Sequence, residues 1–276
     1  MLNQAEGLFN TQTKIVSVAS GKGGVGKTVV AVNLSIALQE RGYKVLLFDA
    51  DAGFANAEIL MGVTPRLTLK DFLKKKASME DVIFRTPYEV DLISTGMDVD
   101  DLITFNIEDK GKVLNELRRL GETYDYIVFD FPPGFNEQLE RFYLSSDHVL
   151  VLTATEPTAL VNAYTFVKIL VLKGLEPVSF HVVMNMVKDL KEGRKILEKF
   201  SSVVSRFIGV SFDSTHVVKF DPLVKESITR QTPLVVLKRT SQPSLAIHGI
   251  ADKITNKIVV KKLSFIDRVK LLLGMG

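Results

Sequence analysis

No cysteine occurs in the 276 residues. Structural disulfides, zinc–cysteine sites and iron–sulfur clusters are therefore excluded. Apolar runs are short as well. None reaches the ~18 residues that a transmembrane helix needs, and the first 15 residues carry no charged segment followed by a greasy one, so no signal peptide is expected. These absences make the cytoplasm the expected compartment. The four histidines, His148, His181, His216 and His248, have no metal-ligand spacing and read as buried or surface residues. The body also lacks an excess of either charge. Of the net +3, residues 261–276 hold Lys261, Lys262, Arg268 and Lys270 against Asp267, while the other 260 residues balance at 31 against 31. A neutral body argues against a broad nucleic-acid surface and singles out the C-terminus.

What is present is enough apolar material, 46% of residues, to bury the core of one large domain. Short, often continuous apolar runs read as strands at Lys14–Ser20, Lys44–Asp49, Val90–Ser94, Tyr126–Asp130, His148–Thr153, Ser179–Met184 and Phe207–Ser211. Continuous β-branched runs suit strands covered on both faces. Between them lie helical stretches such as Val29–Arg41, Asp109–Leu120, Leu160–Lys173 and Arg194–Ser205. This alternation predicts an α/β fold: a doubly wound, mostly parallel sheet with helices on both faces. There is no internal repeat and no low-complexity linker. The expected partition is a leader of residues 1–13, a domain of residues 14–260 and a tail of residues 261–276.

Gly21-Lys22-Gly23-Gly24-Val25-Gly26-Lys27-Thr28 fits the P-loop pattern G-x-x-x-x-G-K-[ST], and it follows a strand and opens a helix. Glycines let backbone N–H groups curl around phosphate oxygens, and a helix N-terminus adds partial positive charge. Lys27 is placed to reach the β- and γ-phosphates and Thr28 to offer its hydroxyl to Mg²⁺. Asp49-Ala50-Asp51 ends the second strand, where carboxylates can hold magnesium's waters and orient an attacking water. Tyr126–Asp130 is an apolar strand ending in a carboxylate, which reads as a Walker B with Asp130 binding magnesium through water; Gly134 begins switch II after Pro132 and Pro133.

The second lysine of the loop, Lys22, resembles the deviant Walker A of the MinD/ParA ATPases. The resemblance covers nearly the whole chain. It implies that Lys22 reaches across a homodimer to the partner's ATP, that Asp49 belongs to the magnesium shell, and that Asp51 is the hydrolytic residue of switch I. The match continues through Gly53 and Asn56. It makes Lys22, Lys27 and Asp51 the candidate catalytic residues, with ATP and Mg²⁺ as cofactors. It also implies an adenine-reading Asn185 after one strand, a second base-side step at Phe212-Asp213 after the next, and a Glu156 that contacts the partner's nucleotide. The alternative for each is a strand-end turn residue or, for Glu156, favourable charge at a helix start.

In the tail, Phe265, Ile266, Val269, Leu272 and Leu273 fall on one helical face, with Lys261, Ser264, Asp267 and Arg268 opposite. That suits an interfacial helix on anionic lipid, or a last helix docked on the domain. The leader carries Asn3-Gln4-Ala5-Glu6-Gly7-Leu8. It resembles the D-Q-A-x-x-L-R segment of the flagellar-number regulators of the FlhG/FleN type, with Asn3 and Phe9 replacing the acid and the base. The stretch from Glu156 to Tyr164 also looks like that branch. The resemblance implies a signal-recognition-type GTPase as partner, and flagellar switch and basal-body proteins as further ones. A division-site regulator like MinD shares the ATPase and the tail. A ParA-like partition ATPase needs a basic face, for which Lys74-Lys75-Lys76 is the only candidate run.

Overall fold

The computed structural model describes residues 13–51, 56–96, 116, 119–135, 137–174, 179–256 and 269–270. The first half of the chain runs β1 (Lys14–Ser20), α1 (Lys27–Gln39), β2 (Val45–Asp49), α2 (Asn56–Met61), α3 (Leu69–Leu73), α4 (Met79–Val82), β3 (Phe84–Arg85), β4 (Asp91–Ser94) and β5 (Tyr126–Asp130). The second half runs α5 (Glu137–Ser145), β6 (His148–Thr153), α6 (Pro157–Leu172), β7 (Ser179–Val187), α7 (Leu190–Ile208), β8 (Ser214–Lys219), α8 (Pro222–Thr229), α9 (Leu234–Leu237) and α10 (Gln242–Thr255). The strands form one sheet in the order β3-β4-β2-β5-β1-β6-β7-β8. Its ladders are parallel, except that the two-residue β3 runs antiparallel to β4 at the edge.

The doubly wound sheet expected from the sequence is therefore present, and its physical cause is visible strand by strand. All residues of β2, β5 and β6 are buried, so their apolar residues run on consecutively instead of alternating, as in Val45–Phe48 and Val149–Leu152. One face packs Val16, Val18, Leu47, Val128 and Leu150 against α1 and α10, through Leu34, Leu38, Ile250 and Ile254. The other packs Ile15, Phe129 and Val151 against Phe142, Tyr143, Phe166 and Leu197. Helix α1 is buried at ten of its 13 positions. It also carries Asn33, whose side-chain oxygen accepts from the Val235 N–H at 2.9 Å. A helix so enclosed is a rigid mount for whatever loop precedes it.

β1 lies between β5 and β6, where the winding of the sheet reverses. In open α/β sheets ligands bind in the crevice beyond the strand C-termini at such a switch point. The P-loop opens there.

One strand is misplaced by the sequence reading. Phe207–Ser211 is not a strand: α7 continues to Ile208 and is capped by Gly209 in the left-handed region, at φ 81°. The last strand is Ser214–Lys219. Other boundaries shift by a few residues, with β7 running on to Val187. Thr13, assigned to the leader, is buried and donates to the Tyr124 carbonyl at 2.8 Å.

Residues 1–12, Gly53, the side chain of Asn56, most of the helix expected at Asp109–Leu120, and most of the tail lie outside the described residues. Val269 is the exception in the tail's apolar face. It is 2% exposed and belongs to the same buried cluster as Leu120 and Tyr124. Among the described residues no helix is long and apolar enough to cross a membrane. Three of the histidines join across the sheet: His148 Nδ1 is 3.0 Å from His181 Nε2, His181 Nδ1 is 2.7 Å from Ser214 Oγ, and that hydroxyl is 2.7 Å from His216 Nε2.

Candidate functional site

The loop Gly21–Gly26 leaves the C-terminal end of β1 and feeds α1 at Lys27. Gly26 is the N-cap, at φ 89°, a left-handed conformation that glycine adopts without cost. The turn aims the first N–H groups of α1 into a cavity of about 690 Å³, a common size for small-molecule sites. Gly23, Gly24, Gly26, Lys27 and Thr28 line one end of it. Gly21, Lys22 and Val25 belong to the loop but not to the cavity wall, and the Val25 side chain is buried in the core. Two of the loop's carbonyls are held by side chains. The Ser20 hydroxyl donates to Lys22 O at 2.8 Å, and Asn185 Nδ2 donates to Val25 O at 2.8 Å.

Two buried carboxylates flank this end, and they differ in what they touch. Asp49 accepts from the Asp51 N–H and the Ala57 N–H, both at 3.1 Å, and so ties both ends of the segment between them. Burial nevertheless pushes its carboxyl up to about 6. Asp130 is fully buried and neither of its oxygens has a hydrogen-bond partner of ordinary geometry. Burial above all, then the charge of Asp49, pushes its carboxyl up to about 7, against the Thr28 hydroxyl and the Lys27 ammonium. An orphaned buried carboxylate is costly unless a cation or its water shell meets it. Asp130, Asp49 and the Thr28 hydroxyl are oxygen donors, the chemistry that a hydrated Mg²⁺ selects. The residues present thus fit that ion. Asp51 lines the cavity beside them.

Across the cavity the end of β7 is irregular. The register with β8 shifts between Met184 and Val187, and Met186 lies in the left-handed region at φ 57°. This bulge turns Asn185 toward the loop. The cavity's far wall is made by Phe220 and Asp221, which follow β8, and by apolar residues of α2, α8, α9 and α10 such as Ile59, Val224, Leu234 and Ile247. Here the sequence reading needs correction. Phe212 and Asp213 precede β8. The Phe212 ring stacks on Phe200, and the Asp213 N–H donates to Phe180 O at 2.7 Å near the start of β7. They stand at the N-terminal ends of the parallel strands, whereas the P-loop stands at the C-terminal end of β1. The chain contains a second Phe-Asp step, Phe220-Asp221, and that one reaches the cavity. The sequence signal for it was Asp221-Pro222, an N-cap followed by a proline at the first helical position. The Asp221 carboxylate indeed accepts from the Leu223 N–H at 2.9 Å. Met186 and Lys219 were missed because only the folded chain brings them to the cavity, and Ser20 because its short-range bond to Lys22 O belongs to no motif.

Lys22 points away from the cavity. Its ammonium is 2.5 Å from Glu156 Oε2 and 3.4 Å from Thr158 Oγ1 at the start of α6. Both side chains of the pair are substantially exposed, at 38% and 63%. Such a pair is worth about 0–1 kcal/mol, so exchange of Lys22 for another partner costs little.

The AAA domain family matches residues 13–172. The antiactivator FleN of Pseudomonas aeruginosa is 30% identical over 241 residues, covering 87% of this chain and 86% of that protein. This chain belongs to the MinD/ParA family of deviant Walker A ATPases. The flagellum site-determining protein YlxH of Helicobacter pylori is 28% identical, over 89% of this chain and 83% of its own. Among solved structures, the septum site-determining protein MinD of Pyrococcus horikoshii, complexed with Mg-ADP, is 26% identical with a TM-score of 0.69, covering 88% of this chain and 96% of that one. Within the MinD/ParA family the chain is thus similar in sequence to flagellar regulators, and its fold is that of MinD.

The AAA domain match divides the candidate residues into two groups. It ends at residue 172. All the phosphate-side residues of this MinD/ParA ATPase lie inside it, as does Glu156. Asn185, Phe220 and Asp221 lie beyond it, on strand ends whose position only the folded chain shows.

Proposed function

We propose that this chain is an ATP-dependent regulatory switch that hydrolyses ATP to ADP and phosphate. It dimerises when ATP is bound and associates with the inner face of the cell membrane. There it controls flagellar number or placement through a signal-recognition-type GTPase. The observation that carries the nucleotide part is Asp130: a buried carboxylate with no hydrogen bond of ordinary geometry, next to the lysine and threonine that open α1. In this reading Lys27 holds the β- and γ-phosphates, Thr28 with Asp130 and Asp49 holds the metal and its waters, and Asp51 orients the attacking water. Bound Mg²⁺ supplies neutralisation of the charge that develops on the transferred phosphoryl group. Lys22 leaves Glu156 to reach the partner's nucleotide, and Glu156 then faces the same interface. On the base side Asn185 and the Phe220-Asp221 step take the place assigned to Asn185 and Phe212-Asp213.

The flagellar part rests on the names of FleN and YlxH and on Gln4-Ala5…Leu8 in a leader of residues 1–13. The membrane part rests on the basic, one-faced tail of residues 261–276, one copy of which binds weakly while two copies on a dimer gain roughly 10²–10⁴ in avidity. Flagellar switch and basal-body proteins are the further partners. The deciding experiment measures GTP hydrolysis by the same organism's signal-recognition-type flagellar GTPase, with the full chain or a peptide of residues 1–13 added. Acceleration by both, lost in Gln4→Ala, is expected. No acceleration by either sinks the GTPase partner and brings forward a division-site role of the MinD kind, which the solved MinD relative favours.

A further inference from the structure

We propose that Asn185 is a positioning residue of the phosphate loop: its amide holds the Val25 carbonyl out of the cavity, so that the loop presents N–H groups to the phosphates. The inference rests on the reading of Gly21–Thr28 as a phosphate site. A loop that cradles an anion has to turn its donors inward and its carbonyls outward. Val25 is buried among the core residues of α1 and β1, and its carbonyl is the last in the loop before the Gly26 cap. The Asn185 Nδ2 group donates to that carbonyl at 2.8 Å, and Asn185 itself is 8% exposed.

The amide cannot turn round. Its Oδ1 accepts from the Met186 N–H at 2.9 Å while its Nδ2 meets a carbonyl. Both partners are backbone groups of fixed polarity, so only one orientation satisfies them. The bulge in β7 and the left-handed Met186 provide this geometry, since a regular strand would carry Asn185 past the loop. The fit is close on the loop side too. A Cβ on Gly26 would stand 2.5 Å from Asn185 Nδ2, so the glycine that caps α1 is also the residue that lets the amide in. Ser20 does the same for Lys22 O from the other side of the loop. Asn185 thereby spends one of its two amide hydrogens and one carbonyl lone pair on the scaffold, and a base-reading role is left with the remainder.

A base reader and a loop strut differ in what their loss does to a ligand without a base. Binding of inorganic tripolyphosphate, ADP and GDP, each with Mg²⁺, is measured by calorimetry for the full chain, for Asn185→Ala and for Asn185→Leu. The strut predicts that all three ligands weaken by a common factor of roughly tenfold, the usual consequence of leaving one buried acceptor unpaired, with the ADP-to-GDP ratio unchanged. Unchanged tripolyphosphate binding with ADP falling toward GDP overturns it and makes Asn185 a base reader alone. Hydrogen exchange without ligand adds a second readout: Gly23–Lys27 amides exchange faster in the variants while those of β1 and β6 keep their protection. Loss of protection throughout the sheet in both variants overturns the proposal in favour of a general role in stability. Failure of the unaltered chain to bind any of the three ligands removes the phosphate site itself, and is distinct from every other outcome.

Discussion

Asp130 and His216 are both kept neutral by burial, with opposite consequences for stability. A carboxyl raised from its ordinary value near 3.8 to about 7 holds a proton in the folded chain that the unfolded chain has already lost. Its contribution is full below about pH 3.8 and disappears as pH rises through 7. Asp49, raised to about 6, does the same over a narrower window. His216 is depressed from 6.5 to about 4, by burial first and then by Lys253. Its contribution is full above pH 6.5 and disappears as pH falls through 4. One net proton changes stability by about 1.4 kcal/mol per pH unit. Between pH 4 and 6 the two carboxyls make stability fall as pH rises, and His216 opposes them, as does His248, whose pKa burial also lowers. Asp130→Asn flattens that slope and His216→Asn steepens it, as read from urea midpoints at pH 4.5, 5.5 and 7.5. A steeper loss in Asp130→Asn would show that burial does not hold Asp130 protonated. This pattern was not legible in the sequence. The P-loop and its aspartates are contiguous motifs, but the hydrogen-bonded row of His148, His181, Ser214 and His216 exists only because β6, β7 and β8 pair in register.

At the scale of elements, the lesson lies in α7. Its sequence periodicity placed the helix correctly from Arg194 to Ser205, but the apolar Phe207–Ser211 that follows looks like a strand. Gly209 decides otherwise, because a left-handed glycine closes a helix and satisfies its last carbonyls. The error then moved the next strand and with it the base-side residues. A single helix cap thus separated the Phe212-Asp213 step from the Phe220-Asp221 step that lines the cavity. Gly193 in the same helix offers a test of packing against propensity. Alanine there gains about 0.5–1 kcal/mol in helix propensity. Its Cβ, however, would stand 2.4 Å from Val187 Cγ1 and 3.2 Å from Val217 Cγ1. Both valines sit on paired strands and cannot both retreat. Gly193→Ala is therefore expected to destabilise by about 1–3 kcal/mol net, measured by urea unfolding. A raised midpoint would show that α7 rides more loosely on β7 and β8 than the contact implies.

Under the proposed function the whole molecule has to tell ATP from ADP, and the two lysines of the loop divide that task. In that reading Lys27, buried at the start of α1 beside the aspartates, serves nucleotide binding itself. Lys22 stands outside the cavity, held by an exposed ion pair to Glu156 that is cheap to break. Under the proposed dimer, Lys22→Ala binds Mg-ATP nearly as well as the unaltered chain yet stays a monomer, while Lys27→Ala loses roughly 10²-fold in affinity, as expected when a charged group loses its hydrogen-bonded partner. The measurement is mass by light scattering with ATP in an Asp51→Ala background, which under the proposed mechanism removes hydrolysis from the comparison, alongside ATP binding by calorimetry. A dimer formed equally well by Lys22→Ala would confine Lys22 to its own chain. A single-chain mass for the Asp51→Ala parent in saturating ATP would remove the dimer and with it the avidity on which membrane association depends. The two outcomes separate because the first keeps the assembly and reassigns one residue, whereas the second leaves a nucleotide-binding monomer whose weakly bound tail no longer responds to the γ-phosphate.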